Sequence, residues 1–247
     1  MSSQAIVQVW TLRVDALDDG AVARWLPMLD AAERERAARF VFPRHRVLFI
    51  AAHALLRAAL AQLGGQPPTA WRFVADAHGK PAAYLGPQPA PLSFNLSHTE
   101  GMAGVAVVPR AGVDIGFDLE PLGRTVDLAV AGRFFTRHEV GWLDALPEAL
   151  RPQGFLRLWT LKEAFIKATG KGLTQNLASF WFDPCPPRIH FAPGLLEHEA
   201  DWRFEQRVLD GGFLAALGLR RAAGGEIDTR WTPLAPDDIA ADGLRCE

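Results

Sequence analysis

Three of the chain's four lysines, Lys162, Lys167 and Lys171, fall within one stretch of fifteen residues, 159–173, and the other twenty-two basic residues are arginines. Clustering of so rare a residue beside Glu163 points to chemistry, because compact ammonium charges next to a carboxylate suit a site handling phosphate and a metal ion. Upstream, Gly116-Phe117-Asp118-Leu119-Glu120 has the alternation of a strand. The two-residue strand period puts Asp118 and Glu120 on one face, about 7 Å apart, with Phe117 and Leu119 on the other. Two like charges so placed invite a cation. An isolated Asp-x-Glu is more often a solvated strand end, and Glu163 with Lys167 at i,i+4 could be an exposed helical salt bridge worth a few tenths of a kcal/mol. This chain's habit of using Arg argues against that plain reading of its lysines. Three carboxylates without a nearby His or Cys form an oxygen-only set that suits Mg²⁺ better than Zn²⁺. Mg²⁺ commonly completes its octahedron with water and phosphate, so the set implies a phosphorylated substrate.

The run Thr169-Gly170-Lys171-Gly172-Leu173 has the look of a phosphate-binding loop. It lacks the first glycine of G-x-x-x-x-G-K-[ST] and follows a helix instead of opening one, so that route is rejected. Gly170 reads as a helix C-cap.

The elements that must position these residues are legible. Leu158, Leu161, Phe165 and Ala168 make an apolar stripe on a helix over about 152–168, with Thr160, Glu163 and Lys167 on another face. Thr136 followed by Glu139 is a capping box for a helix through Leu146. In the first half, residues 5–14 alternate as a strand, 18–40 are helical, and Arg44–Leu63 is an amphipathic helix closed by Gly64-Gly65. Strands are expected at 71–74, 92–98, 104–108, 113–119, 179–183, 188–192, 202–208 and 213–219, with an irregular tail from Pro233. Helices followed by strands in each half predict an α+β fold of two similar lobes related by a pseudo-twofold, residues 1–115 and 116–247. A short echo supports this: Arg39-Phe40-Val41-Phe42-Pro43-Arg44-His45 resembles Arg133-Phe134-Phe135-Thr136-Arg137-His138 with a one-residue gap.

A chain of 247 residues can bury a sizeable core, and 49% hydrophobic with 22% charged residues is ordinary for a soluble globular protein. Net charge of −2 gives no basic footprint for nucleic acid. Two cysteines, Cys185 and Cys246, make no disulfide framework. The N-terminus has no signal-peptide pattern, and the apolar run Val47–Leu60, interrupted by His53 and Arg57, is too short to span a bilayer. A cytoplasmic protein without membrane or nucleic-acid partners is the expectation.

Gly116-Phe117-Asp118-Leu119-Glu120, Arg133-Phe134-Phe135 with Glu139, and Trp159-Thr160-Leu161-Lys162-Glu163-Ala164-Phe165-Ile166-Lys167 with Gly170-Lys171-Gly172-Leu173 resemble the 4′-phosphopantetheinyl transferase signature in order and spacing. Phe94-Asn95-Leu96-Ser97-His98, Gly79-Lys80-Pro81 and His45-Arg46 resemble the family's upstream blocks, so the likeness covers roughly 40–182. Two departures leave every ligand in place: Phe117 is bulkier than the usual aliphatic residue, and Pro121 replaces a frequent basic one. The length fits the monomeric, two-lobed type that activates surfactin synthetase.

The resemblance implies a cleft between the lobes that holds coenzyme A. Its phosphopantetheine arm would pass to a serine of an apo acyl, peptidyl or aryl carrier protein, leaving adenosine 3′,5′-bisphosphate. It further implies that Asp118, Glu120 and Glu163 hold Mg²⁺ on the pyrophosphate and that Glu163, directly or through water, takes the serine proton. Lys167 would balance charge on the leaving phosphate and Lys162 would contact the pyrophosphate. Glu139 joins the catalytic set, and Arg46, Lys80, Ser97 and His98 match positions that hold the nucleotide and its 3′-phosphate. Taken alone, His98 reads as a surface histidine and Arg46 as an exposed charge. Two other functions were weighed: a non-catalytic carrier-protein or coenzyme A binding module, against which the intact carboxylates and lysines argue, and a Mg²⁺-dependent phosphodiesterase, which leaves the lysines unexplained.

Overall fold

The computed structural model describes residues 5–15, 17–195, 197–220 and 227–245, so Cys246 lies outside it. In chain order the elements are β1 (Ala5–Arg13), α1 (Asp19–Trp25), α2 (Ala31–Ala38), α3 (Pro43–Gly64), β2 (Trp71–Ala75), β3 (Pro81–Leu85), β4 (Gln88–Pro89), β5 (Ser93–Thr99) and β6 (Met102–Val108). These are followed by β7 (Ile115–Pro121), α4 (Ala131–Phe134), α5 (Arg137–Asp144), α6 (Arg151–Thr169), β8 (Phe180–Pro184), β9 (Pro187–Phe191), β10 (Trp202–Leu209) and β11 (Phe213–Arg220). The chain closes with β12 (Ile227–Leu234), β13 (Ile239–Ala240) and β14 (Gly243–Leu244). Helices and sheets are mixed in an α+β architecture of two units, residues 1–113 with 225–247, and residues 114–224. The boundary at 113/114 lies beside the expected 115/116, but the C-terminal residues group with the first unit and not the second.

In the first unit the sheet order is β12-β1-β6-β5, antiparallel except for the parallel β1–β12 pair, in which Ala5 faces Ile227 and Leu12 faces Leu234. This pairing corrects the expected irregular tail from Pro233: Pro233 and Leu234 end β12, and the β13–β14 hairpin follows. Helix α3 opens with Pro43, whose missing N–H costs nothing in a first turn, and ends at Gly65 with φ 65°, a left-handed cap that glycine adopts without Cβ strain. By length and composition alone α3 could cross a membrane, yet 67% of that stretch is buried, as in a core helix. Ile50, Leu55 and Leu60 on it pack with Leu12, Trp25, Trp71 and Val105.

Arg57, fully buried on α3, is held by Glu33 at 2.8 Å, Asp30 at 2.9 Å and the carbonyls of Pro68 and Trp71 at 2.9 and 3.0 Å. A buried guanidinium is tolerated only when its donors are satisfied in this way. Burial alone would raise the pKa of Glu33, but His53 and the Arg57 charge hold it below the usual carboxylate value.

The second unit is a β10-β11-β7 antiparallel sheet under α6, with the β8–β9 hairpin beside it. Its core is aromatic: Phe165 meets Phe180 at 4.5 Å and Trp202 at 4.8 Å between ring centres. Like α3, α6 begins with a proline in its first turn and ends at a left-handed glycine, Gly170. Each unit therefore has a long helix capped in the same way and laid on a sheet, mixed in the first unit and antiparallel in the second. The predicted capping box is present: Thr136 and Glu139 exchange hydrogen bonds at the start of α5, which ends at Asp144, two residues short of the expected Leu146.

Candidate active site

One glycine sets the height of α6 above the sheet. Gly116 on β7 lies directly opposite Gly218 on β11. A Cβ built on Gly116 would come within 1.9 Å of the Ala164 carbonyl oxygen and 2.5 Å of the Ala168 nitrogen, so only glycine lets the helix backbone rest there. The face of β7 that carries Gly116 also carries Asp118 and Glu120, because alternate strand residues share a face. Phe117 and Leu119 turn the other way and are buried, as strand periodicity predicts.

From α6, residues 159, 163 and 167 form an i, i+4, i+8 stripe over those carboxylates. Trp159 Nε1 donates to Glu120 Oε1 at 3.1 Å. Lys167 Nζ donates to Asp118 Oδ1 at 2.7 Å and to the Phe117 carbonyl at 3.2 Å. Glu163 lies between Trp159 and Lys167 in that helical stripe. Its pKa is raised, first by burial and then by the charge of Asp118, with Lys167 opposing and Glu120 reinforcing the rise. Glu120 is also raised by burial, despite Arg124, and Asp118 adds to it. Three acidic side chains from two elements thus share one partly desolvated place, where Asp118 and Glu120 disfavour ionisation of Glu163 and Asp118 disfavours that of Glu120. Among the described residues no group of three or more His, Cys, Asp or Glu side chains is arranged to hold a metal ion as it stands. The ion pairs account for this: Lys167 holds Asp118, while Arg124 and Trp159 share Glu120. The donor set itself, all oxygen and net anionic, still fits a hard divalent cation.

Two expectations are corrected. Thr160 is not beside Glu163: it is fully buried, donates to the Leu156 carbonyl at 3.0 Å and accepts from Gln206 at 2.9 Å, and Trp159 takes the place expected for it. Lys162 is 1% exposed, and its three protons go to Glu139 at 3.0 Å and the carbonyls of Leu177 and Phe180 at 2.9 and 3.0 Å. With all three donors used inside the core, it has none to offer a pyrophosphate. Glu139, wholly buried, accepts from Thr136 N at 2.8 Å and Phe182 N at 3.0 Å besides Lys162. It ties α5, α6 and β8 together. Burial lowers the Lys162 pKa, and Glu139 works against that.

The first-unit candidates sit on separate elements. Arg46 is half-buried in the first turn of α3, and Lys80 follows the Asp76 turn, its backbone N–H donating to Asp76 Oδ1 at 2.9 Å. Ser97 and His98 are neighbours on β5, the first buried and the second exposed. Lys171 is exposed just beyond the α6 cap. Sequence reasoning missed Trp159 as a donor to Glu120 and Arg124 as its ion-pair partner. The signals were present, an indole in the lysine-rich block and a lone cation four residues after Glu120, but neither spacing says which carboxylate is met.

Known proteins bear on this site. Residues 114–217 match the family model of the 4′-phosphopantetheinyl transferase superfamily, and residues 20–110 match the model of the 4′-phosphopantetheinyl transferase N-terminal region. The chain is 38% identical over 218 residues to the 4′-phosphopantetheinyl transferase HetI of Nostoc, covering 86% of this chain and 87% of that protein. It is 30% identical over 228 residues to the 4′-phosphopantetheinyl transferase psf-1 of Bacillus pumilus, covering 89% and 93%. The human L-aminoadipate-semialdehyde dehydrogenase-phosphopantetheinyl transferase is 30% identical over 222 residues, 82% of this chain and 71% of its own. With both units matched in order, the chain belongs to the 4′-phosphopantetheinyl transferase superfamily.

Proposed function

We propose that this phosphopantetheinyl transferase acts as a monomer and in a Mg²⁺-dependent way, with the ion held by Asp118, Glu120 and Glu163. The observation that carries the reading is Glu163, a carboxylate with a raised pKa between two others and beside a lysine. Bound there, Mg²⁺ would supply electrostatic stabilisation of the coenzyme A pyrophosphate.

The chain's own residues do the rest. The carrier serine attacks the phosphorus that bears the pantetheine arm, forming a new P–O bond, and the bond to the adenosine bisphosphate breaks. Glu163 accepts the serine proton, directly or through one water. A raised pKa suits it, since a base near the operating pH transfers protons most effectively. Lys167 already lies at 2.7 Å from Asp118, so its charge is fixed beside the site before substrate arrives and can offset the negative charge growing on the leaving phosphate. Trp159 holds Glu120 in place. By the motif resemblance, Arg46, Lys80, Ser97 and His98 bind the nucleotide and its 3′-phosphate.

The test is incubation with coenzyme A and apo acyl, peptidyl and aryl carriers, with and without Mg²⁺, followed by mass spectrometry for a gain of one phosphopantetheine arm. Transfer that survives exhaustive chelation overturns the metal dependence.

A further inference from the structure

Glu120 Oε1 accepts from two donors of different character. Trp159 is pinned: its ring stacks on Phe155 at 6.2 Å and meets the edge of Phe134 at 5.3 Å. Arg124 is not: its side chain is 49% exposed while that of Glu120 is 12% exposed. It sits in the turn after β7, closed by Arg124 N donating to the Pro121 carbonyl at 3.0 Å and by Leu122 N donating to the Gly212 carbonyl at 2.8 Å. The turn thus fixes the backbone of Arg124 beside the carboxylates and leaves a long, permanently charged side chain in solvent. A guanidinium on a carboxylate and a divalent cation on the same carboxylate compete for the same lone pairs and the same negative charge. Of the two donors, only Arg124 can leave without disturbing a packed core.

We propose that Arg124 is an exchangeable counter-ion of the metal site. It neutralises Glu120 while no metal is bound and gives way when the cation arrives. Released, its planar fork turns to the pyrophosphate of the incoming coenzyme A, a group that arginine matches well. Arg124 is then a substrate-binding residue whose availability depends on metal, and it makes metal and coenzyme A binding mutually reinforcing. This rests on the metal reading given above.

Mn²⁺ binding to the full chain, followed by loss of the free-ion paramagnetic resonance signal, tests it in wild type, Arg124→Ala, Glu120→Gln and the double variant. Arg124→Ala should bind Mn²⁺ about five-fold more tightly without coenzyme A, the upper end for an ion pair with one exposed partner. The gain should vanish in the Glu120→Gln background, because it acts through that carboxylate. Coenzyme A should raise Mn²⁺ affinity by a smaller factor in Arg124→Ala than in wild type. An affinity in Arg124→Ala equal to or below wild type overturns the proposal. So does a gain that persists without Glu120, which would assign it to the general field of a removed charge. An unreduced effect of coenzyme A in Arg124→Ala would overturn the pyrophosphate contact. Failure of the metal reading has a different signature: Mn²⁺ affinity would be unchanged by Glu163→Gln and Asp118→Asn in otherwise wild-type protein, and the Arg124 proposal would fall with it.

Discussion

Replacing Glu163 with Gln should make the metal-free protein more stable while removing its activity. Three carboxylates, Asp118, Glu120 and Glu163, face two cations, Lys167 and Arg124, so one negative charge is uncompensated. Like charges at about 7 Å, the spacing of alternate residues on β7, repel by roughly 2.4 kcal/mol at an effective dielectric near 20, which sets the scale for Glu163 among its neighbours. Solvent reaching the half-buried site reduces this, and about 1 kcal/mol of relief is expected from the substitution, or roughly 2–4 °C in Tm for a chain of this size. The sign with pH follows from the raised pKa of Glu163. A carboxyl that ionises less readily when folded costs stability above its folded pKa and nothing below its unfolded one. The gain should therefore be full above the folded pKa and disappear as the pH falls through it to the ordinary carboxylate range. Calorimetric melting of both proteins across pH 4–8, without metal, measures it. With Mg²⁺ and coenzyme A the order should reverse, since ligand at about 100 times Kd adds roughly 2.7 kcal/mol to the protein that binds it. A Tm for Glu163→Gln at or below wild type at neutral pH, or a gain independent of pH, would refute the claim that this side chain is electrostatically strained. Near wild-type transfer would refute its role as base.

Lys162→Met should destabilise the protein by about 3–5 kcal/mol, because it leaves Glu139 charged and buried; coenzyme A affinity of the folded fraction, read by calorimetric titration, should not change. Gly116→Ala should lower Tm and slow transfer together, since the added methyl cannot fit beneath the Ala164 carbonyl without lifting α6 from β7. Alanine at Arg46, Lys80 or His98 should weaken coenzyme A binding more than it lowers kcat at saturation, because contacts to a remote nucleotide stabilise ground and transition states alike. Unchanged affinity in all three would overturn the nucleotide role proposed for these residues.

Local pattern in the chain was enough for the helices that carry function and for the face of β7 that bears Asp118 and Glu120. Period-two alternation separated Asp118 and Glu120 from Phe117 and Leu119. Gly64-Gly65 and Gly170 marked helix ends through local backbone chemistry. Thr136 and Glu139 declared their capping box for the same reason. What each charged side chain meets was settled by packing. Lys162 and Lys167 look equivalent in the sequence, five residues apart on one helix. A rotation of about 140° between them sends one into an aromatic core beside Glu139 and the other over Asp118. Thr160 leaves the face expected for it, claimed by Gln206 on β10, and Trp159, about 100° away on the helix, meets Glu120. The β1–β12 pairing joins segments more than two hundred residues apart, and no local pattern encodes a partner that distant. Propensity and periodicity act within a few turns of chain. The assignment of ion-pair partners is made by packing, where desolvation leaves a buried charge stable only beside the group that satisfies it.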